Sequence, residues 1–259
     1  MAPPPAPPPA AERIAKVLAR RGVASSRAAE ELIAAGRVEV EGETVTSPAT
    51  RIAPDAAIRV DGAPVAAAEA ARLWRYHKPA GLVTTHKDPQ GRPTVFERLP
   101  PELPRVISIG RLDLTSEGLL LLTNDGALAR TLELPATGWT RRYRVRLYGR
   151  LTPADIARLA EGITVEEVRY GPVEVTVERE TPSHVWAQVG LKEGKNREIR
   201  RLMEHLGLRV GRLIRIAYGP FQLGNLAPGA IEEVNPKVLR DQLGRRLGAP
   251  APAPAGGRR

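Results

Sequence analysis

Carboxylates, arginines and tyrosines carry the candidate chemistry of this sequence, because thiols are absent and imidazoles are badly spaced. There is no cysteine, which excludes thiol catalysis, disulfides and cysteine metal sites. The four histidines, His77, His86, His184 and His205, show no ligand spacing, and ordinary structural or surface roles account for them. One acidic residue stands out. Residues 106–125 read VISIGRLDLTSEGLLLLTND, a strand, a sharp loop holding Asp113, and a second strand. Two apolar strands would hold that loop rigidly and set its carboxylate at a sheet edge. Taken alone, Asp113 is better explained as a turn residue, since Asp favours loops for its own hydrogen bonding.

Two further segments could complete a site. Along 139–148, alternation puts Trp139, Arg141, Tyr143, Val145 and Leu147 on one face and Arg142, Arg144, Arg146 and Tyr148 on the other. Tyr143 therefore lies on the mostly apolar face, where its ring can floor a pocket or simply pack in a core. Residues 191–207, LKEGKNREIRRLMEHLG, read as strand, Gly-containing loop and helix. Ile199, Leu202, Met203 and Leu206 form the apolar stripe of a helix over 196–206. Arg200 lies beside that stripe, from which it could reach a carboxylate at the sheet edge. A plain surface arginine would fit the same position.

These segments sit in a unit expected over residues 72–240. Its strands are expected near 73–77, 105–109, 119–123, 140–147, 173–179, 185–191 and 213–216. Helices start at Asp125 and at Thr152-Pro153, an N-cap followed by proline at the first helical position. Short strands with scattered helices indicate an α+β class, not a doubly wound sheet. A smaller unit is expected over 11–65. Ile14, Val17 and Leu18 give a short amphipathic helix over 12–21, closed by Gly22. Ser25 caps a second helix, and Val38 and Val40 begin short strands that end at Asp61-Gly62, a hairpin signal. Residues 66–71 form the linker. The Pro/Ala stretch 1–10 and the basic stretch 241–259 are expected to be disordered tails.

Charge points to the partner. The net charge is +10 and the isoelectric point about 10.4, which suggests a polyanion. Residues 139–150 hold five Arg and no acid, 191–217 carry +5, and 12–62 balance to zero. Arg13, Lys16, Arg20, Ser26, Arg27 and Arg37 in the first unit, with Lys195 and Arg197 in the second, are the candidate contacts to the polyanion. Each could equally be ordinary surface charge. No apolar run approaches the roughly 20 residues of a membrane span, and no signal peptide is evident. A cytoplasmic, metal-free protein is the expectation.

The motifs converge on one family. ERIAKVLARRGVASSRAAEELIAAGRVEVEGETV resembles the small RNA-binding fold first described in ribosomal protein S-four, the alpha-L motif. KPAGLVTT, GRLDLTSEGLLLLTND and EGKNREIRRLMEHLG, in that order, resemble the RsuA-type rRNA pseudouridine synthases, most closely the large-subunit branch called RluB. The likeness spans roughly residues 12–235. It implies a mixed, largely antiparallel sheet and isomerisation of a uridine without any cofactor. It implies that Asp113 is the catalytic nucleophile or base, and attack on sugar, attack on base and removal of a ribose proton all stay open. It further implies that Arg200 pairs with Asp113, that Tyr143 packs against the target base, and that Arg111 fills a gap beside a helix or holds phosphate. Glu232 departs from the pattern, since relatives often carry Arg there. The expected partner is ribosomal RNA, read by a monomer, with 23S rRNA favoured. The same reaction on 16S rRNA and a catalytically silent assembly factor are the competing readings.

Overall fold

The computed structural model describes residues 11–134 and 138–243, so both expected tails fall largely outside the described residues. Contacts divide the chain into two units, 1–71 with 124–126, and 72–123 with 127–259.

In the first unit, β1 (Glu12–Arg13) leads into α1 (Ile14–Arg20) and α2 (Ser26–Ala34), followed by β2 (Val38–Val40), β3 (Glu43–Val45), β4 (Arg51–Ile52), β5 (Ile58–Val60) and β6 (Ala63–Pro64). Ile14, Val17, Leu18 and Ile33 are fully buried, as the helical spacing requires. Ser25 accepts from the Ala28 amide at 3.1 Å and so caps α2. Gly22 takes a φ of +79° after α1, a left-handed close that an L side chain resists. One boundary differs from expectation. Glu12 and Arg13 are not helical but pair with β4, because β4, which the sequence pattern does not show, offers them a ladder. Asp61-Gly62 turns β5 into β6, both residues with positive φ.

The second unit is built on a sheet ordered β13-β14-β10-β15-β9-β7-β17. Its members are β7 (Leu73–Lys78), β8 (Ile107–Ile109), β9 (Glu117–Thr123), β10 (Arg141–Tyr148), β11 (Thr164–Val165), β12 (Val168–Arg169), β13 (Val173–Glu180), β14 (His184–Leu191), β15 (Arg209–Tyr218), β16 (Phe221–Gln222) and β17 (Ile231–Glu233). Among these strands, β8 and β16 hairpin onto β9 and β15, and β11–β12 pair separately. All these pairings are antiparallel except β15 with β9, so the mixed, largely antiparallel α+β reading holds. The helices are α3 (Gly126–Glu133), α4 (Pro153–Glu161), α5 (Glu198–His205) and α6 (Pro236–Leu243).

Strand β9 explains its run of leucines. Leu119 and Leu121 enter one core cluster, Leu120 and Leu122 another, and all four are fully buried. A central strand covered on both faces needs no polar alternation. A third core forms where Val145, Leu147, Val189 and Leu213 of the sheet meet Leu159 of α4 and Ile199, Leu202 and Met203 of α5. Thr152 and Asp155 form a reciprocal capping box on α4.

Three details depart from the expected pattern. Helix α5 begins at Glu198, two residues later than expected, since Arg197 is left-handed (φ +52°). Strand β15 extends to ten residues, because its first half pairs with β10 despite being polar. Helix α6 continues to Leu243, whose side chain is buried, three residues past the boundary expected at 240. Glu232 sits opposite Arg75 in the β7–β17 ladder and pairs with it at 2.6 Å. The departure from the family pattern thus has a local charge partner.

Candidate active site

Among the described strands, the one parallel pairing positions the candidate site. Ile214 and Arg215 of β15 lie beside Glu117 and Gly118 of β9. Gly118 has a φ of +99°, and a Cβ there would stand 2.3 Å from the Arg215 carbonyl oxygen. Only glycine allows the two strands this approach. The loop that carries Asp113 ends where this seam begins.

That loop is clamped through its backbone. The Ser116 amide donates to the Asp113 carbonyl at 3.0 Å, and the Gly81 amide to the Leu114 carbonyl at 2.7 Å. Thr84 donates its hydroxyl to the Leu112 carbonyl at 2.9 Å and accepts from the Leu112 amide at 3.3 Å. The Gly110 amide donates to Glu133 at 2.6 Å. Lys78 is fully buried. Its Nζ donates to the carbonyls of Pro79 (3.0 Å), Asp113 (3.1 Å) and Ser116 (2.9 Å), with Leu114 at 3.5 Å. Burial pulls the Lys78 ammonium down to about 8, against the opposing pull of Asp113 and Glu117. Lys78, Gly81 and Thr84 all belong to KPAGLVTT. As a sequence that motif marks the family without revealing a task, and nothing in its periodicity points to a main-chain clamp.

The Asp113 side chain is one-third exposed and faces two arginines. Arg197 Nη1 stands 3.5 Å from its Oδ2, and Arg200 Nε stands 3.9 Å away. Arg200 also donates to Thr115 Oγ1 at 2.9 Å. The side chain of Arg200 is 15 % exposed and that of Arg197 50 %. Burial, and then the Arg197 cation, depress the Arg200 guanidinium below its ordinary value, while Asp113 opposes them. The left-handed turn at Arg197, which shortens α5, places it here. Its position in the sequence suggests only an RNA contact.

A cavity of about 280 Å³ opens beside the carboxylate, lined by Asp113, Arg111 and Tyr143 among others. Tyr143 packs against two cores at once, as its face of β10 requires. Arg111 is exposed and borders this cavity and a neighbouring one of about 560 Å³. Lys195 also lines both, but its ammonium is held by Glu193 and by the Arg169 carbonyl at 2.9 Å. The remaining candidates lie in the first unit. There Arg13, Lys16, Ser26 and Arg27 are exposed. Arg20 pairs with Glu12 at 2.6 Å, and Arg37 makes a two-pronged pair with Asp61 at 2.7 and 2.6 Å. Among the described residues no cluster of His, Cys, Asp and Glu is arranged to hold a metal, and no helix is long and apolar enough to cross a membrane.

Comparison with known proteins decides the family. The model for RNA pseudouridylate synthase matches residues 72–205, and the S4 domain model matches 12–58. The chain belongs to the RNA pseudouridylate synthase family. An RNA pseudouridine synthase of Rickettsia felis is 49% identical over 230 residues, which cover 88% of this chain and 99% of that one. Ribosomal large subunit pseudouridine synthase B of Haemophilus influenzae is 41% identical over 243 residues, 90% of this chain and 68% of its own length. The fold agrees with a crystal structure of a pseudouridylate synthase, with a TM-score of 0.62 at 24% identity, covering 88% of this chain and 98% of that one. This pseudouridine synthase therefore carries an RNA-binding S4 domain ahead of its catalytic domain.

Proposed function

We propose that the protein converts a specific uridine of large-subunit ribosomal RNA to pseudouridine, working in the cytoplasm as a monomer without a cofactor. The observation that carries the reading is the Asp113 carboxylate. It is clamped by its own main chain, faced by Arg197 and Arg200, and set on the rim of a cavity that Tyr143 lines. The relatives designated large-subunit enzymes support the substrate.

The reaction needs no second substrate. The bond between ribose C1′ and uracil N1 breaks, the base turns, and C5 bonds to C1′. The C5 hydrogen leaves as a proton and N1 gains one, so product and substrate are isomers. Asp113 acts as the nucleophile. Arg200 and Arg197 face its carboxylate and keep it aimed. Tyr143 supports the ring of the extruded base. Leaving the RNA stack costs a few kcal/mol, which phosphate contacts from Arg111 and the exposed cations of the first unit, Arg13, Lys16 and Arg27, offset.

Tritium release from uridine labelled at C5 tests this reading on large- and small-subunit rRNA transcripts. Release from the large-subunit transcript alone, abolished by Asp113→Asn with RNA affinity unchanged, is the expected outcome. Turnover by Asp113→Asn would remove Asp113 from the mechanism, and release only from the small-subunit transcript would overturn the substrate.

A further inference from the structure

Two charged side chains in the wall of the Asp113 cavity have no task in the reaction as described. Arg215 is 3% exposed. Its Nε donates to the Leu119 carbonyl at 2.6 Å, and its guanidinium lies 5.3 Å from the centre of the Tyr218 ring. Its Nη2 has no hydrogen-bond partner. Glu198 is 4% exposed. Its Oε2 accepts from the Lys195 amide at 3.0 Å, and its Oε1 has no partner. Both residues line the same cavity as Asp113 and Tyr143. Arg215 stands directly across from Tyr143 in the β10–β15 ladder, so the two side chains share a face. Folded proteins seldom leave a buried donor or acceptor unpaired, and each exception calls for a cause. Here one donor and one acceptor are unpaired in one cavity beside a reactive carboxylate.

We infer that Glu198 and Arg215 read the edge of the target base: Glu198 Oε1 accepts the uracil N3–H, and Arg215 Nη2 donates to a flanking carbonyl. The inference rests on the placement of the reaction at Asp113. Uracil presents acceptor, donor, acceptor along O2, N3–H and O4, which a carboxylate and a guanidinium complement. Cytosine presents a bare N3 lone pair, which a carboxylate repels. The site therefore selects uridine over cytidine by chemistry at the base itself.

The same pair suits the turn of the base. Exchanging N1 for C5 at the ribose is a half-rotation about the axis through N3 and C6. That rotation leaves N3–H in place and swaps O2 with O4. A reader of N3–H and one flanking carbonyl makes the same contacts before and after. It holds the detached uracil in the cavity without favouring the substrate orientation over the product.

The test uses the full chain and a synthetic RNA carrying the uridine that the wild type modifies. At that position uridine is compared with 3-methyluridine, in which a methyl group replaces the N3 hydrogen. Release of the C5 hydrogen is the readout. A site that hydrogen-bonds a substrate N–H rejects the blocked analogue strongly, so the wild type should prefer uridine by at least about 100-fold. Glu198→Ala, which removes the acceptor and makes room for the methyl group, should lower turnover of uridine and bring the two substrates within about 5-fold. A merely structural Glu198 would depress both equally, and an unchanged ratio overturns the proposal. If Glu198→Ala lacks a cooperative melt, Glu198→Gln carries the test with cytidine at the target, because the amide can donate to cytosine N3. Its affinities for the cytidine and uridine RNAs should then converge, and a wild-type preference in the variant overturns the proposal. Asp113→Asn, run alongside, separates the two failures. Turnover there would sink the placement of the chemistry, whereas a dead Asp113→Asn beside an unchanged Glu198 ratio would sink only the base reader.

Discussion

Replacing Lys78 with methionine tests whether the Asp113 loop is held from beneath by a buried cation. The variant keeps the length of the side chain and removes the donor to three carbonyls at 2.9–3.1 Å, those of Pro79, Asp113 and Ser116. Leaving a buried carbonyl unsatisfied costs about 1–3 kcal/mol; the Asp113 carbonyl keeps the Ser116 amide, so the other two cost roughly 2–6 kcal/mol. Against this, the buried ammonium is itself unfavourable. Its shift from 10.5 to about 8 corresponds to about 3 kcal/mol that methionine does not incur. The net expectation is a small loss of stability, about 1 kcal/mol.

Activity should fall further than stability. With the Lys78 bonds to the loop gone, the carboxylate is free to shift, and a displacement of about 1 Å in a reacting group can cost on the order of 100-fold. Single-turnover tritium release should therefore drop by about that factor while RNA affinity stays within about threefold. The pH dependence gives an independent check. Between pH 8 and 10.5 the unfolded chain binds the Lys78 proton and the folded chain does not. Wild-type stability relative to Lys78→Met must then rise with pH across that window, by up to about 3 kcal/mol, and be flat below it. Wild-type activity should decline as pH passes about 8, where the clamp loses a proton. A Lys78→Met enzyme with near-wild-type turnover, or a stability difference flat from pH 8 to 10.5, would refute the reasoning.

Three other outcomes are expected. Arg200→Ala should slow single-turnover chemistry more than Arg197→Ala, on the order of 100-fold against 10-fold, because an ion pair out of water is weakly screened; the reverse order would make Arg197 the principal partner of Asp113. Gly118→Ala, which places a Cβ 2.3 Å from the Arg215 carbonyl, should lower stability by about 3 kcal/mol or more, read as a fall in Tm, and a native Tm would show that the β9–β15 seam can widen. Replacing the exposed Arg13, Lys16 and Arg27 with alanine should weaken RNA binding and flatten its log–log salt dependence by about 2; an unchanged slope would remove the α1–α2 surface from the interface.

Much of this is legible in the sequence because it rests on local pattern. Period-two alternation in 141–148 correctly separates the Tyr143 face from the Arg144 face. The i, i+3, i+4 spacing of Ile14, Val17 and Leu18 marks a helix whose apolar residues are fully buried. The motifs around Asp113 point to the family. What stays hidden depends on contacts between distant segments. Strand β1 forms only because β4, nearly 40 residues later, lies beside it. Lys78 looks like the polar end of a strand, and two of its partners are main-chain carbonyls more than 30 residues away, which no residue type announces. Glu198 and Arg215 read as one more acid and one more base in charged stretches.

Those two residues show why net charge overstates the surface offered to RNA. The stretch 191–217 counts +5, yet several of its cations are already paired within the fold. Arg215 is buried against Leu119 and Tyr218. Arg212 makes a two-pronged pair with Glu117 at 2.9 and 2.8 Å, which draws that carboxyl below its usual range. Lys195 is tied to Glu193, and Arg200 faces inward to Asp113 and Thr115. The second basic stretch behaves alike: Arg144 pairs with Glu178 and stacks over Trp186, and Arg141 holds the carbonyls of Lys192 and Glu193. Arginine serves here as a structural connector whose fork satisfies carbonyls and carboxylates across the strands. The cations free to meet phosphate are consequently fewer than the composition implies. A salt dependence well below that expected for a surface carrying all the basic residues would follow from this arrangement, whereas a slope matching the full count would mean that these pairs open when RNA binds.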